Sequence, residues 1–160
     1  MAELSELPFS IRLFLKAYRW RTIDPLPWAV PSKPLPESRV ALVSTAGLVL
    51  PPQPPFDDGM KGGDWTYREI PDEAAVAAMI ECHRSKSFDR SGIEADANLA
   101  FPLDRLHELV EQRAVGASNR RHFSLMGSIT APGRLMRESA PAVAQALVDD
   151  AVDAVLLVPI

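Results

Sequence analysis

The sequence predicts an α/β fold of three layers, in which helices flank a mostly parallel sheet. Two observations lead to this prediction. The segments RVALVSTAG (39–47) and AVLLVPI (154–160) contain continuous apolar runs, as strands buried on both faces of a parallel sheet do. A helical pattern and an acidic turn directly precede the second run, and together these three parts make half of a βαβ unit.

The composition is that of a soluble globular domain without a nucleic-acid partner. The 160 residues are 47% hydrophobic and 24% charged, with a formal net charge of −4. Acidic and basic residues are interspersed, whereas binding to phosphates needs a basic cluster. The single cysteine, Cys82, is compatible with a reducing cytoplasm and excludes an internal disulfide or a cysteine-based zinc site. We therefore expect a cytoplasmic protein without a metal site.

The first 38 residues are predicted to form an N-terminal helix and a proline-rich connector. Residues 7–20 mix apolar and basic side chains, and Arg12 and Lys16 interrupt the apolar run, so we predict an amphipathic helix and no membrane span. Five prolines in residues 24–36 predict an extended connector. Residues 39–160 then form the α/β domain.

The middle of the domain is predicted to alternate loops with short elements. Residues 51–63 are rich in proline and glycine and indicate a loop, and residues 65–70 alternate as a strand does. Asp72 is placed to cap a helix. The apolar face of that helix is predicted to contain Val76, Met79, Ile80 and His83.

A second set of elements leads to the end of the chain. A helix is predicted to begin near Pro102, and RHFSLMGS (121–128) is predicted to be a strand. Ser139 is a candidate N-cap for the last helix, which has Pro141 in its first turn. The strand after that helix lacks a following loop and a covering helix, so we expect the natural domain to continue beyond Ile160.

Ligands of open α/β sheets bind beyond the carboxyl ends of the strands, which directs attention to Thr45, Ala46 and Gly47 after the first strand. Their spacing is not that of a dinucleotide-binding turn. Cys82 is interpreted as a small buried apolar group and His122 as a structural histidine. Ser44 and Ser124 have no base nearby in the pattern, so a hydrolase triad is not supported.

Several stretches, in their order and spacing, resemble the selenoprotein subunits of D-proline reductase and of glycine, sarcosine and betaine reductase. They cover about residues 40–160. The matching stretches are ALVSTAGL (41–48), GGDWTYREIP (62–71), the ordered set His83, Asp89, Ser91, Asp96 and Asn98, FPLD (101–104), HFSLMG (122–127), APAVAQAL (140–147) and VDAVLLVP (152–159).

The resemblance implies the redox subunit of an amino-acid reductase that cleaves a C–N bond. In the D-proline type, the segment similar to VDAVLLVPI runs directly into the selenocysteine. A selenocysteine or cysteine is therefore expected immediately after Ile160. The chain as written is expected to be a truncated, inactive part without a catalytic residue of its own.

The resemblance also implies partners and a substrate site. A partner subunit carries a pyruvoyl group that draws electrons from the substrate nitrogen, and a dithiol of the thioredoxin type supplies the electrons. The expected substrate-binding residues are Thr45, Ala46, Gly47, His83, Asp89, Asp96 and Asn98. A competing interpretation remains open for the last three, because Asp and Asn commonly form turns and helix caps.

Two other functions compete with the reductase. The first is a non-catalytic binding module that kept the α/β scaffold. The second is a racemase-like isomerase, whose acid and base would be a pair of strand-end cysteines that this sequence does not contain. The resemblance favours the reductase subunit.

Overall fold

The computed structural model of the chain describes residues 8–18, 22–27, 29–85 and 89–160. They form two compact units, Met1–Val30 and Pro31–Ile160. In the first unit, α1 (Phe9–Ala17) is the predicted N-terminal helix, and it buries none of its residues. Residues 1–7, 19–21 and 28, which the predictions for this region include, lie outside the described residues.

In its described residues, the second unit contains a five-stranded mixed sheet, a separate two-stranded sheet and three α-helices. Its strands are β1 (Arg39–Ser44), β2 (Leu48–Val49), β3 (Tyr67–Pro71), β4 (Ile80–Glu81), β5 (Ala117–Ser118), β6 (Arg121–Leu125) and β7 (Ala154–Val158), and its helices are α2 (Ser91–Ala95), α3 (Leu103–Glu111) and α4 (Ala140–Asp149). β1 pairs in parallel with β5, β6 and β7, whereas β3 pairs antiparallel with β6. The predicted, mostly parallel sheet is thus confirmed.

The sheet lies between helices, which confirms the three layers. On one face, Val40 and Leu42 of β1 pack in the core with Leu103 and Leu106 of α3. On the other face, a cavity between the sheet and α4 is lined by residues of both, Val43 and Val143 among them. Burial of a large apolar side chain contributes about 1.5–3 kcal/mol, so the α3 face supplies much of the stability.

The last strand differs from its prediction. β7 pairs with β1 along its whole length, from Val40↔Ala154 to Ser44↔Val158. However, Val155, Leu156 and Leu157 are 39%, 48% and 67% exposed, so the expectation of burial on both faces is wrong for the described residues. The reason is that β7 has a strand neighbour on one edge only within the described part of the chain.

The prediction of a helix that begins at Asp72 is also wrong. A single 3₁₀ turn, Val76–Ala78, replaces it, and β4 then pairs antiparallel with β2. The Asp72 carboxylate accepts hydrogen bonds from His107, Ser118 and His122 and so does not cap a helix. Tertiary donors thus compete successfully for the oxygen that the local pattern assigned to a cap.

The other elements of the domain agree with their predictions, except for one cap. β3, α3, β6 and α4 lie where the sequence predicts a strand, a helix, a strand and a helix. Ser139 is not an N-cap, because the helical path already begins in a π-helical turn, Leu135–Ser139. Its hydroxyl donates to the backbone carbonyl of Trp65. None of the described helices combines the length and the apolar character that a membrane span requires.

Candidate functional site at the carboxyl ends of the parallel strands

The carboxyl ends of β1, β6 and β7 meet at one edge of the sheet. The Thr45 N–H donates to the Val158 carbonyl at 3.1 Å, and the Gly47 N–H donates to the Leu125 carbonyl at 2.9 Å. Ala46 forms an isolated antiparallel bridge with Met126. We call residues 45–47, 126–127 and 159–160 the carboxyl rim; it lies where open α/β sheets place their ligands.

Thr45 fixes the backbone of Ile160 within this rim. The Thr45 hydroxyl oxygen accepts the Ile160 N–H at 2.9 Å, and the hydroxyl lies 3.3 Å from the Ile160 carbonyl, to which it donates. One side chain directly after β1 therefore satisfies both backbone groups of a residue after β7. Thr45 is half-buried and Ile160 is exposed, so the contact faces outward.

Two glycines bring His83 against the rim. Gly47 has φ +67°, and a β-carbon there would lie 3.1 Å from the backbone nitrogen of His83. A β-carbon on Gly127 would overlap Nε2 of the His83 ring and would lie 2.8 Å from the Thr45 carbonyl oxygen. Only glycine permits such close approach, which explains its presence at both positions.

His83 is a buried, neutral histidine. Burial lowers the pKa of its imidazole, and the neighbouring Glu81 carboxylate opposes this shift only in part. Nδ1 accepts the Ser85 N–H at 3.2 Å, so the proton of the neutral ring is on Nε2. This nitrogen is the one that faces Gly127 and the Thr45 carbonyl. The protonated nitrogen of the neutral ring is therefore packed inside the rim.

Cys82 lies beside His83, after β4 and not on the predicted helix. Its backbone N–H donates to the Gly47 carbonyl at 3.0 Å, which ties the β4 segment to the rim. The side chain is half-buried and packs against Val49, Phe56 and Met126. Burial raises the pKa of the thiol, so the neutral form is favoured. These contacts agree with the small apolar group that the sequence predicts.

The polar residues Asp89, Asp96 and Asn98 form turns and caps. Asp89 accepts the Ser91 N–H at 3.0 Å, and Asp96 accepts the Asn98 N–H at 2.9 Å. The Asn98 amide bridges to Asp104, whose N–H it accepts at 3.1 Å, at the start of α3. Backbone donors are the main cause of the lowered pKa of both Asp89 and Asp96.

The structure therefore brings together only part of the predicted set. Thr45, Ala46, Gly47 and His83 meet at the carboxyl rim. Asp96 and Asn98 line a different cavity, of about 350 Å³, beside the 3₁₀ turn that precedes β4. Asp89 is exposed on the segment that leads to α2.

Two charged residues near His83 were missed by the sequence analysis. A cavity of about 330 Å³ beside the rim is lined by Pro55, Phe56, Asp58, Cys82, His83 and Arg90. Arg90 donates to the His83 carbonyl at 2.7 Å and pairs with Glu81 at 2.6 Å. Asp58 comes from a loop more than twenty positions earlier, so no local spacing could have linked it to Arg90. The described residues include no group of three or more His, Cys, Asp or Glu that could hold a metal ion.

Comparison with known proteins identifies the family. The family described as glycine/sarcosine/betaine reductase selenoprotein B matches residues 9–159. The D-proline reductase subunit gamma of Acetoanaerobium sticklandii is 31% identical over 136 residues, which cover 84% of this chain and 54% of that relative. The chain thus spans about half the length of this curated relative. No solved structure matches. The resemblance seen in the sequence is confirmed, and the chain belongs to the glycine/sarcosine/betaine reductase selenoprotein B family.

Proposed function

We propose that this chain is part of the redox subunit of an amino-acid reductase. The proposed reaction is reductive cleavage of a C–N bond in D-proline, glycine, sarcosine or betaine, with a dithiol as the electron donor. The C–N bond breaks, and carbon and nitrogen each gain a hydrogen. The dithiol gives up two electrons and two protons and becomes a disulfide. Family membership and the 31% identity to a D-proline reductase subunit support this proposal.

The contact between Thr45 and Ile160 is the observation that carries the proposal. It fixes the backbone at the end of β7, at the edge where α/β sheets place reactive groups. We propose that the selenocysteine or cysteine of the full-length protein follows this segment. Such a residue would supply the nucleophile, and selenium suits this purpose because a selenol is more acidic than a thiol.

The residues of this chain would position the substrate at the rim. His83 is neutral and packs against the rim, and we propose that it helps to position the substrate there. Ala46, Gly47 and Gly127 have small side chains or none, which lets the backbone of the rim pack closely against the His83 ring. Substrate contacts by Asp89, Asp96 and Asn98 stay a prediction, since their hydrogen bonds are those of turns and caps.

We also propose the partners that this reaction needs, in a cytoplasmic setting. A pyruvoyl group on a partner subunit would withdraw electrons from the substrate nitrogen, and a thioredoxin-type dithiol would deliver the reducing electrons.

The test begins with the coding DNA after codon 160 and continues with the full-length product. We expect an in-frame UGA or cysteine codon, followed by an α/β continuation. The full-length protein, combined with the subunits encoded beside it, should convert one of the four amino acids only when a dithiol is present. Absence of such a codon together with no dithiol-dependent turnover would overturn the proposal. Turnover without a dithiol would instead indicate an isomerase, and ligand binding without turnover would indicate a binding module.

A further inference from the structure

The cavity beside His83 has the size and lining of a small-molecule site. Its volume of about 330 Å³ lies near the lower end of the range for ligand pockets, roughly 300–1,000 Å³. Pro55 and Phe56 provide apolar surface, and the Phe56 ring is fixed from behind by the Arg68 guanidinium, 4.2 Å from its centroid. The cavity is therefore preformed on at least this side.

Arg90 is held in place but keeps donors for a ligand. Its Nε pairs with Glu81 at 2.6 Å, and its Nη2 donates to the His83 carbonyl at 2.7 Å. Its remaining nitrogen, Nη1, makes no hydrogen bond with the described residues, and the side chain is 46% exposed. A guanidinium fixed in this way is oriented for a carboxylate, because its N–H groups form a planar fork.

Asp58 provides the opposite charge on the same cavity. Its carboxylate accepts no hydrogen bond from the described residues, whereas the neighbouring Asp57 accepts the Gly59 N–H at 2.9 Å. The Asp89 and Asp96 carboxylates are likewise engaged by backbone donors. Asp58 is thus an exposed carboxylate whose acceptors remain available to a ligand.

The other polar lining groups are neutral at neutral pH. Burial raises the pKa of the Cys82 thiol and lowers the pKa of the His83 imidazole. Of the six lining residues that the structure describes, Arg90 and Asp58 are therefore the two that carry a full charge. The cavity thus has one positive group, one negative group and a partly apolar wall. These features are complementary to a molecule that carries one negative charge, one positive charge and a short hydrocarbon part.

We infer that this cavity binds a small zwitterionic amino acid, with Arg90 pairing its carboxylate and Asp58 pairing its ammonium nitrogen. The inference rests on the proposed function, for which it names the substrate pocket. His83 connects the two places, because it lines the cavity while its ring lies against Gly127 and the Thr45 carbonyl. A ligand in the cavity would thus contact His83, which itself packs against the rim.

Calorimetry on the full-length protein, without partner subunits or dithiol, tests the inference with D-proline as the probe. D-Prolinamide lacks the carboxylate and N-acetyl-D-proline lacks the ammonium group, and each should bind at least about tenfold more weakly. Arg90→Met should weaken D-proline binding by about 10-fold to 100-fold, and Asp58→Asn by about tenfold. Equal affinity for D-proline and both analogues, or unchanged affinity in both variants, would overturn the inference.

Two further variants separate ligand binding from structural support. Glu81→Gln removes the negative charge but keeps an amide oxygen that can accept from the Arg90 Nε–H and the His83 N–H, so the guanidinium stays oriented and D-proline binding should be unchanged or stronger. If Glu81→Gln weakens binding as much as Arg90→Met does, Arg90 acts through Glu81 and the inference fails. Arg105→Met is the matched control, because Arg105 pairs with Glu108 on α3 and does not line the cavity.

The result also separates this inference from the proposed function. If D-proline binds through Arg90 but the assembled complex shows no dithiol-dependent turnover, the pocket stands and the reductase assignment fails. If the complex turns over and Arg90→Met leaves both KM and kcat unchanged, the reductase assignment stands and the pocket is wrong. A raised KM with nearly unchanged kcat is the outcome expected when both hold.

Discussion

The two ends of the parallel strands carry different kinds of polar chemistry, and two buried histidines show the difference. At the amino end of the sheet, the fully buried His122 accepts the Leu42 N–H with Nδ1 at 3.0 Å and contacts Asp72 with Nε2 at 3.0 Å. At the carboxyl end, His83 lies on a cavity, between an anchored arginine and two glycines.

The amino end is a network in which the charges are satisfied by one another. Asp150 at the end of α4 accepts bonds from Arg120 at 2.5 Å, Arg121 at 2.7 Å and Asn119 at 3.1 Å. The hydrogen bond from Arg121 is the main cause of the strongly lowered pKa of Asp150. Polar groups here join β6 to α4, so they serve the stability of the fold.

The carboxyl end instead combines neutral groups, glycines and a hydroxyl that holds backbone. The comparison shows that burial of a histidine does not by itself identify a functional site. What distinguishes His83 from His122 is its position on a cavity at the carboxyl ends of the strands. Variants at the amino end should therefore reduce stability, and variants at the rim should reduce activity.

The largest expected loss of stability follows replacement of His122 by leucine. His122→Leu removes the acceptor for the buried Leu42 N–H and one partner of Asp72, so unfolding should become easier by about 3 kcal/mol. Urea unfolding measures this. His107→Leu is the matched control, since His107 meets the same Asp72 oxygen but is 38% exposed, and it should cost less than about 1 kcal/mol.

The pH profile gives His122→Leu a second readout. Burial lowers the pKa of His122 below its ordinary value of 6.5, so the unfolded chain takes up this proton first. Wild-type stability should therefore fall as the pH drops below 6.5, and His122→Leu should lack that part of the decline. An unchanged slope in the variant would contradict the neutral, buried assignment.

Asp150→Asn should destabilise the chain by about 2 kcal/mol at neutral pH, because charge-assisted bonds to two arginines are lost. The folded-state pKa of Asp150 lies below its ordinary value of 3.8, so this stabilisation is present above pH 3.8 and is lost at lower pH. The two proteins should converge in acid unfolding experiments. Asp149→Asn, where the carboxylate meets only Gln145 among the described residues, should behave as wild type.

Gly127→Ala should destabilise by about 1 to 2 kcal/mol, because the new methyl group overlaps the His83 ring and the Thr45 carbonyl. In the full-length complex it should also lower dithiol-dependent turnover more strongly than this loss of stability explains. Gly133→Ala is the control, since its β-carbon would meet only the end of the Arg137 side chain, at 3.2 Å. Equal activity in the two variants would show that His83 has no role in the site.

Thr45→Val should have the smallest effect on stability, below about 1 kcal/mol, because the lost hydrogen bonds are exposed to water. The variant keeps the shape of the side chain but releases the Ile160 backbone. Turnover by the full-length complex should fall about tenfold or more, as misplacement of a reacting group predicts. Thr45→Ser retains the hydroxyl and should restore most of the activity; if it does not, the hydroxyl is not what matters.

Some elements could be predicted from the sequence because their signals are local. The apolar runs of β1 and β7, Pro102 before α3 and the apolar stripe of α4 each depend on residues close together in the chain. The prediction of a helix that begins at Asp72 was wrong because distant residues determine the structure of that segment. His107, Ser118 and His122 bind the Asp72 carboxylate. In addition, β4 of the same segment pairs with β2. The prediction that Ser139 caps α4 was wrong for a similar reason, because its hydroxyl donates a hydrogen bond to the distant Trp65 carbonyl.

The same division applies to the candidate site. The rim residues Thr45, Ala46 and Gly47 could be found because a parallel strand ends before them, and sheet topology fixes where such ends lie. The link between Asp58 and Arg90 could not, because it depends on how the loop before β3 folds over the segment after β4.

The sequence alone determined the α/β class, the parallel strands and the family, because apolar periodicity and ordered motifs are written in consecutive residues. Only the tertiary structure decided which polar residues stabilise the fold and which ones face a cavity. Hydrogen bonds and burial depend on partners that are far apart in the chain. The sequence analysis assigned His122 a structural role and His83 a place in the site, and the distant neighbours of each histidine show the physical basis of that difference.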